Sequence, residues 1–187
     1  MNKINRNRYV FCAVFAALVA VSGFIIIPAG IIPIVLKNLF VVLSGTVLGS
    51  FYGAVSIIIF ISAGILGAPV FVIPGFGVFS TPLGGYLIGY LLGSLAAGLI
   101  CGKPKIKEKK VKLLFLIRLT LASLSGFLII LLCGMFYMMR LNSMSFAAAF
   151  AAGVAPYIPG DLIKLAASIP LALRLRPIAA RYINPDK

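Results

Sequence analysis

The residues best suited to chemistry are Asp161 and Lys164, three positions apart in the segment Pro159-Gly-Asp-Leu-Ile-Lys164. Asp161 is the one acidic residue inside apolar sequence, since Glu108 lies in a basic loop and Asp186 near the C-terminus. On a helix the two side chains share a face and can pair. A charge within a bilayer is costly unless it is paired or faces a cavity. The pattern therefore predicts a binding site, and a capping Asp beside a surface-reaching Lys is the alternative.

Composition indicates an integral membrane protein without catalytic groups. The 187 residues are 62% hydrophobic and 11% charged, whereas about a quarter of a soluble domain is charged. The apolar runs are continuous, which excludes a membrane β-barrel. The chain has no His and no pair of carboxylates, and its cysteines are scattered: Cys12, Cys101 and Cys133. We therefore expect no enzyme activity, no metal site and no bound cofactor.

The apolar runs predict an all-α integral membrane protein, with residues 1–187 forming one domain of six transmembrane helices. The expected spans are approximately 9–27, 34–48, 51–66, 84–101, 113–139 and 161–176. The net charge of +14 is concentrated between these runs, which argues against a nucleic-acid surface. With six spans, thirteen basic residues share one side, and only Lys37 and Arg140 lie near the other. The positive-inside rule then places both termini in the cytoplasm, in a multi-pass protein of the cytoplasmic membrane.

Three irregular segments fall on the opposite, outer side. They are the turn at 28–33, the stretch 67–83 and the break before Asp161. The stretch 67–83 contains three Pro, three Gly and three Phe, so it cannot form a regular helix. Because it is also hydrophobic, we interpret it as a cap over a site, with an interfacial loop as the alternative. Together with Lys37 and Asn38, these segments predict an outward-facing pocket with apolar walls and few polar groups.

Two ridges of small residues predict close helix packing. Ala13 and Ala17 recur every four residues in the first run, and Gly85, Gly89 and Gly93 do so in the fourth. Small residues let helix backbones approach closely within a membrane. Spacing alone leaves open whether the Ala ridge contacts another helix of the chain or an external partner.

Five segments, in order along the chain, resemble the BioY family. They are Ala13-Val-Phe-Ala-Ala-Leu18, Pro33-Ile-Val-Leu36 with Leu39-Phe40, Gly67-Ala-Pro-Val-Phe71, Pro82-Leu-Gly-Gly-Tyr-Leu-Ile-Gly89 and Pro159-Gly-Asp-Leu-Ile-Lys164. The resemblance implies a six-helix S component of an energy-coupling factor (ECF) transporter, which captures biotin from outside the cell. It further implies a transmembrane coupling subunit and two ATPase subunits as partners, with ATP used by the latter. In this family the position of Ala13 and Ala17 docks the coupling subunit, and that of Asp161 and Lys164 binds substrate.

This resemblance suggests which residues bind each part of biotin. We expect Asp161 to accept the N–H groups of the biotin urea and Lys164 to donate to its oxygen, although Lys164 on the carboxylate is the alternative. Lys37 or Arg140 would meet the carboxylate, near Asn38. The aromatic side chains expected to cover the ring system are Phe71, Phe76, Phe79 and Tyr86.

Departures from the family pattern leave an alternative ligand and an alternative function open. Where the family often has Thr and Gln in the second helix, this chain has Val35 and Lys37. Lipoate or a biotin precursor therefore remains an alternative ligand. A secondary transporter or channel for a small organic anion is the alternative function. It is disfavoured because a single charge pair makes a poor proton relay and no inverted repeat is visible.

Overall fold

The computed structural model describes residues 3–27, 34–105 and 113–183. The turn at 28–33 and most of the basic loop therefore lie outside the described residues. The helices are α1 (Lys3–Ser22), α2 (Lys37–Leu48), α3 (Ser50–Ile65), α4 (Leu83–Cys101), α5 (Leu113–Leu141), α6 (Phe146–Gly153) and α7 (Ile158–Ile183). Two strands of two residues each, β1 (Ile26–Ile27) and β2 (Ile34–Val35), pair antiparallel. Single 3₁₀ segments occupy Gly75–Ser80 and Ala155–Tyr157.

The chain is an all-α membrane protein. Three stretches are long and apolar enough to cross a bilayer: Leu83–Cys101, Leu113–Leu141 and Phe146–Ile183, which combines α6 and α7. Helices α2 and α3 are apolar but shorter, at 12 and 16 residues. The number of spans and the side on which the termini lie remain predictions.

Helix α1 ends before the predicted span does. The apolar run continues to residue 27, yet the helix stops at Ser22, and Ile26–Ile27 form a strand. The Ser22 hydroxyl donates to the Val19 carbonyl at 2.8 Å, and Gly23 follows directly. Beyond that point the backbone groups of Ile26–Ile27 bond to β2 instead of to the preceding helical turn. Because this pairing joins separate segments, the hydrophobicity of the run does not predict it.

Helix α7 is longer than the predicted final span. It begins at Ile158 rather than at residue 161 and continues through Pro170 and Pro177 to Ile183. Pro159 lies in the first turn, where a missing N–H costs nothing. The interior prolines each remove one helical hydrogen bond, which a packed neighbourhood in a membrane protein tolerates. Asp161 consequently lies in the first turn of the helix instead of starting it.

The Gly ridge of α4 is an internal packing surface against α5. A Cβ on Gly85 would lie 2.2 Å from the Cβ of Tyr137, and one on Gly89 would lie 2.9 Å from the Cα of Ile130. Real Cβ atoms do not approach other atoms that closely, so any larger residue would push the helices apart. Helix α4 is thereby held at backbone contact with α5, and its tyrosines are fixed in position.

At one end of the molecule, which we call the basic end, the start of α1 meets the end of α7. Arg8 Nε donates to the Ile183 carbonyl at 2.9 Å. A cavity of about 250 Å³ between them is also lined by Gly49, at the α2–α3 turn, and by Lys103. The opposite end, the cap end, carries residues 67–83, which we call the cap, together with the first turns of α2 and α4.

Arg176 lies buried near the basic end, with 1% of its surface exposed. Its guanidinium donates to the carbonyls of Thr46, in the last turn of α2, and of Gly102 and Lys103, just beyond α4. It thus supplies donors and positive charge to the carboxyl ends of two helices. Arg176 is one of the thirteen basic residues that the sequence predicts on the cytoplasmic side. The structure places it inside, because these carbonyls offer it acceptors.

Candidate functional site

Asp161 and Lys164 form the ion pair that their spacing predicts. Lys164 Nζ lies 2.5 Å from Asp161 Oδ1, and the two residues are 4% and 6% exposed. Lys164 also donates to the Val35 carbonyl at 3.2 Å. This bond joins α7 to β2, so the position of the lysine depends on the strand pair that follows α1.

The Asp161 carboxylate retains acceptor capacity. Apart from the Lys164 ion pair, no donor among the described residues reaches either oxygen in hydrogen-bonding geometry. The side chain of Asn38 lies beside the carboxylate. An ionised carboxylate offers about four acceptor positions. The carboxylate can therefore accept N–H groups from a ligand without giving up its lysine.

A cavity of about 70 Å³ lies at the cap end, between α2, α4 and the cap. We call it the Lys37 cavity. Its walls are aromatic and aliphatic except for one ammonium group. It is lined by Lys37, Phe71, Val72, Val78, Leu83, Tyr86, Leu87 and Tyr90.

A second cavity, of about 80 Å³, lies between α5 and α7, and we call it the Asp161 cavity. It is lined by Leu124, Phe127, Leu128, Leu131, Ile158, Asp161, Leu162 and Leu165. The sequence predicted one pocket, whereas the structure places Lys37 and Asp161 at two separate small cavities. Ligand pockets measure about 300–1,000 Å³, so neither cavity alone accommodates a vitamin-sized molecule.

Tyr86 and Tyr90 both lie near Lys37 and near Asp161. Both line the Lys37 cavity, and both are close enough to Asp161 to be influenced by its charge. The Tyr86 hydroxyl donates to the Gly153 carbonyl at 2.8 Å, which fixes the ring. Sequence analysis selected Tyr86 and missed Tyr90. The spacing of four on one helix would have identified it as a neighbour on the same face.

Lys37 connects α2 to the cap. Its Nζ donates to the Val70 carbonyl at 3.3 Å and lies 5.5 Å from the centre of the Phe60 ring. Phe71 packs edge-on against the same ring, with centroids 5.4 Å apart. The ammonium is therefore held at the cavity wall by a neutral carbonyl and an aromatic face.

The remaining predicted site residues are divided between the cavity and the surface. Phe71 lines the Lys37 cavity, whereas Phe76 is 72% exposed. Phe79 lies outside the cavity lining, and its carbonyl accepts a hydrogen bond from the Tyr137 hydroxyl. Arg140 is exposed in the last turn of α5 and lines neither cavity. Of the two candidate partners for a carboxylate, Lys37 is the one at the cavity.

The Ala ridge of α1 faces outward. Ala13 and Ala17 are exposed, whereas Ala16, between them on the opposite side, is 5% exposed. The same exposed strip includes the larger residues Val10, Val14, Leu18 and Val21. The geometry favours an external surface over the internal one that spacing had left open.

Comparison with known proteins gives one consistent family. The BioY family model matches residues 1–181. A probable biotin transporter BioY of Pyrococcus horikoshii is 36% identical over 166 residues, covering 88% of this chain and 93% of that protein. The biotin transporter BioY of Thermotoga maritima is 34% identical over 174 residues, covering 92% and 97%.

A solved structure supports the same relationship. The S-component for biotin from an ECF-type ABC transporter superposes with a TM-score of 0.78 and 25% identity. The match covers 94% of each chain. The helical arrangement described above is therefore one already observed in an S component.

Proposed function

Because the chain belongs to the BioY family, we propose that it is the substrate-capture subunit of an ATP-driven vitamin transporter and binds biotin. The observation that carries this proposal is the buried Asp161–Lys164 pair, with its two oxygens free of other hydrogen bonds. A buried ion pair contributes little to stability by itself. Its retention inside an apolar protein is accounted for by a ligand that uses both charges.

Biotin matches the chemistry of this site. Its cyclic urea offers N–H groups to the Asp161 carboxylate and a carbonyl oxygen to Lys164, and hydrogen bonds to charged groups are the strong ones. Its apolar bicycle suits the aromatic surface formed by Phe71, Tyr86 and Tyr90. Because the two cavities measure only about 80 and 70 Å³, the site must open to admit biotin. The cap, at the wall of the Lys37 cavity, is the segment that moves.

We further propose that α1, α2, α3, α4, α5 and α7 are six spans, with both termini in the cytoplasm. The contact between Arg8 and Ile183 supports this topology, because an even number of spans returns the chain to its starting side. The basic end then faces the cytoplasm, as the positive-inside rule requires. The cap end faces outward, in a protein of the cytoplasmic membrane.

We infer from the shortness of α2 that the site lies below the outer membrane surface. Its 12 residues rise only about 18 Å, against a hydrocarbon core about 30 Å thick. Lys37, at the start of α2, therefore lies at membrane depth. The cap fills the space above it, which fits the rule that irregular backbone at this depth is buried or lines a cavity.

Energy would come from partner subunits, since this role requires ATP hydrolysis elsewhere. We propose a transmembrane coupling subunit and two ATPase subunits as partners. The outward-facing strip of Ala13 and Ala17 on α1 is the proposed docking surface. Small side chains there allow another helix to approach closely.

Mass spectrometry of small molecules retained by the purified protein tests the ligand assignment. We expect biotin, released on denaturation and absent from the Asp161→Asn variant. Recovery of lipoate or a biotin precursor in its place would contradict biotin as the ligand. For the transport role, uptake should stop on ATP depletion and survive collapse of the proton gradient. The reverse result would instead indicate a secondary transporter.

A further inference from the structure

The charges at the two cavities do not balance. Lys37 and Lys164 are basic, and Asp161, already paired with Lys164, is the one acidic residue among the described residues there. The chain's remaining acids, Glu108 and Asp186, belong to the basic loop and the C-terminal tip. The described part of the site therefore carries a net charge of +1, and an anion would complete it.

Lys37 is the residue whose positive charge is not balanced by an acidic residue of the described site. An ammonium group has three N–H donors, and the described residues provide Lys37 with one hydrogen bond, to the Val70 carbonyl. Its other contact is a cation–π contact with the face of Phe60. Neither partner carries a charge. A cation within an apolar wall is costly without a counter-ion, so its presence at this cavity calls for a ligand that supplies one.

We propose that Lys37 selects ligands that carry a carboxylate, which it binds with the donors that Val70 leaves free. This inference rests on the proposed function, in which Asp161 and Lys164 hold the uncharged polar end of the same ligand. The site then recognises both ends of a ligand that carries one carboxylate. The Asp161–Lys164 pair binds one end and Lys37 binds the other. Tyr86 and Tyr90 line the Lys37 cavity and are close enough to Asp161 to be influenced by its charge.

The alternative carboxylate partner does not fit this geometry. Arg140 is exposed in the last turn of α5 and lines neither cavity, whereas Lys37 lines one of them directly. In water an exposed ion pair contributes little. An ammonium at the wall of an apolar cavity forms a stronger, charge-assisted bond to a carboxylate.

The test compares biotin with biotinamide, which keeps the bicycle and chain but has no charge, by calorimetric titration of the purified protein in detergent. The wild type should bind biotin about tenfold to a hundredfold more tightly than biotinamide, as one hydrogen bond to a charged group implies. Lys37→Gln should bind both ligands equally, at the wild-type affinity for biotinamide. Lys37→Arg, which keeps the charge, should retain the preference. Lys103→Gln removes an equal charge at the basic end and should also retain it.

Several results would overturn the inference. Equal affinity of the wild type for the two ligands would do so without any variant, even if Lys37→Gln did not fold. A preference that persists in Lys37→Gln, or one that disappears in Arg140→Gln instead, would assign the carboxylate elsewhere while leaving biotin binding intact. If the wild type bound neither ligand, both the inference and the proposed function would fail.

Discussion

The two partners of the buried ion pair have different further contacts. Lys164 also donates to the Val35 carbonyl, whereas Asp161 accepts nothing else from the described residues. Lys164 is thus fixed by the fold, and Asp161 retains acceptor capacity. Removing either partner leaves the other charge buried at a few per cent exposure. Breaking such a pair costs about 3–5 kcal/mol, whereas replacing both charges costs much less.

This difference gives a prediction for single and double variants. Asp161→Asn and Lys164→Met should each abolish biotin binding and lower the free energy of unfolding by about 3–5 kcal/mol. The double variant should recover most of the stability and none of the binding, because the two sites are strongly coupled. Ligand titration and thermal unfolding in detergent measure the two effects. Normal binding by both single variants would show that the pair is structural only.

At the scale of single residues, the sequence predicted the pair because a lone acid in an apolar run is conspicuous. It could not predict the Val35 bond, since a backbone carbonyl 129 residues away has no sequence signature. It also could not choose between Lys37 and Arg140 for a carboxylate. Both are basic residues near the ends of apolar runs, and only their placement relative to the cavity distinguishes them.

Among the helices, α1 has one buried and one exposed surface. Phe15, Ala16 and Val19 face the interior, with at most 5% of their surface exposed. Ala13 and Ala17 face outward. An external partner that needs close approach would therefore meet the second surface and leave the first untouched.

Substituting a bulky residue on either surface of α1 should have opposite effects. Ala13→Trp or Ala17→Trp should block uptake in cells while the isolated protein still binds biotin, because only the approach of a partner helix is obstructed. Ala16→Trp is the matched comparison, and it should destabilise the isolated protein because overpacking a core is costly. Radiolabel uptake and ligand titration separate the two. Loss of binding in the Ala13 and Ala17 variants would mean that the strip packs internally.

The cap is joined to the helices by Val78, which is buried in the core, and by three further contacts. Lys37 holds it through Val70, Phe71 packs on Phe60, and the Phe79 carbonyl accepts from Tyr137. Outside the 3₁₀ segment Gly75–Ser80 it has few backbone hydrogen bonds, so it is among the segments expected to open at low cost. Opening here would enlarge the Lys37 cavity, which the cap lines.

Biotin should therefore slow hydrogen exchange selectively in residues 67–83 and around 156–164. Phe71→Ala should speed ligand release more than it slows capture, because contacts formed after entry mainly set the rate of dissociation. Phe51→Ala, an equivalent truncation of an exposed ring near the basic end, should leave release unchanged. Equal exchange with and without ligand would mean that the cap is fixed and that entry occurs by another route.

The helices were predictable as apolar runs, whereas their ends and neighbours were not. The end of α1 depends on a strand pair, and the length of α7 depends on the tolerance of two prolines by its surroundings. The Ala ridge of α1 and the Gly ridge of α4 look alike in sequence. One faces outward and the other packs on α5, and this difference exists only in the assembled molecule.

For the whole molecule, Arg176 is a residue that joins several elements. From α7 it reaches carbonyls at the ends of α2 and α4, and its guanidinium lies 5.4 Å from the Phe115 ring centre on α5. Four helices are thereby linked at the basic end by one side chain. Because the site lies at the opposite end, these contacts concern stability and not recognition.

Replacing Arg176 should consequently separate folding from binding. Arg176→Met leaves the buried Thr46 carbonyl without this donor, and an unsatisfied buried group costs about 1–3 kcal/mol. We expect a fall of about 1–3 kcal/mol in the free energy of unfolding, with biotin affinity unchanged in the fraction that folds. Arg174→Met, an exposed neighbour on the same helix, should unfold like the wild type. Equal unfolding curves for the two variants would contradict this account.

Arg176 also bears on the order in which the chain can be assembled during synthesis. It emerges from the ribosome 130 residues after Thr46 and about 74 after Gly102, whose carbonyls it caps. Until then the carboxyl ends of α2 and α4 in the nascent chain lack this donor, whatever else has been inserted. Insertion of α7 therefore completes the capping of α2 and α4. A chain interrupted before α7 would expose the carbonyls at the ends of α2 and α4 without this donor. These uncapped carbonyls would distinguish the incomplete chain from the complete protein in membrane quality control.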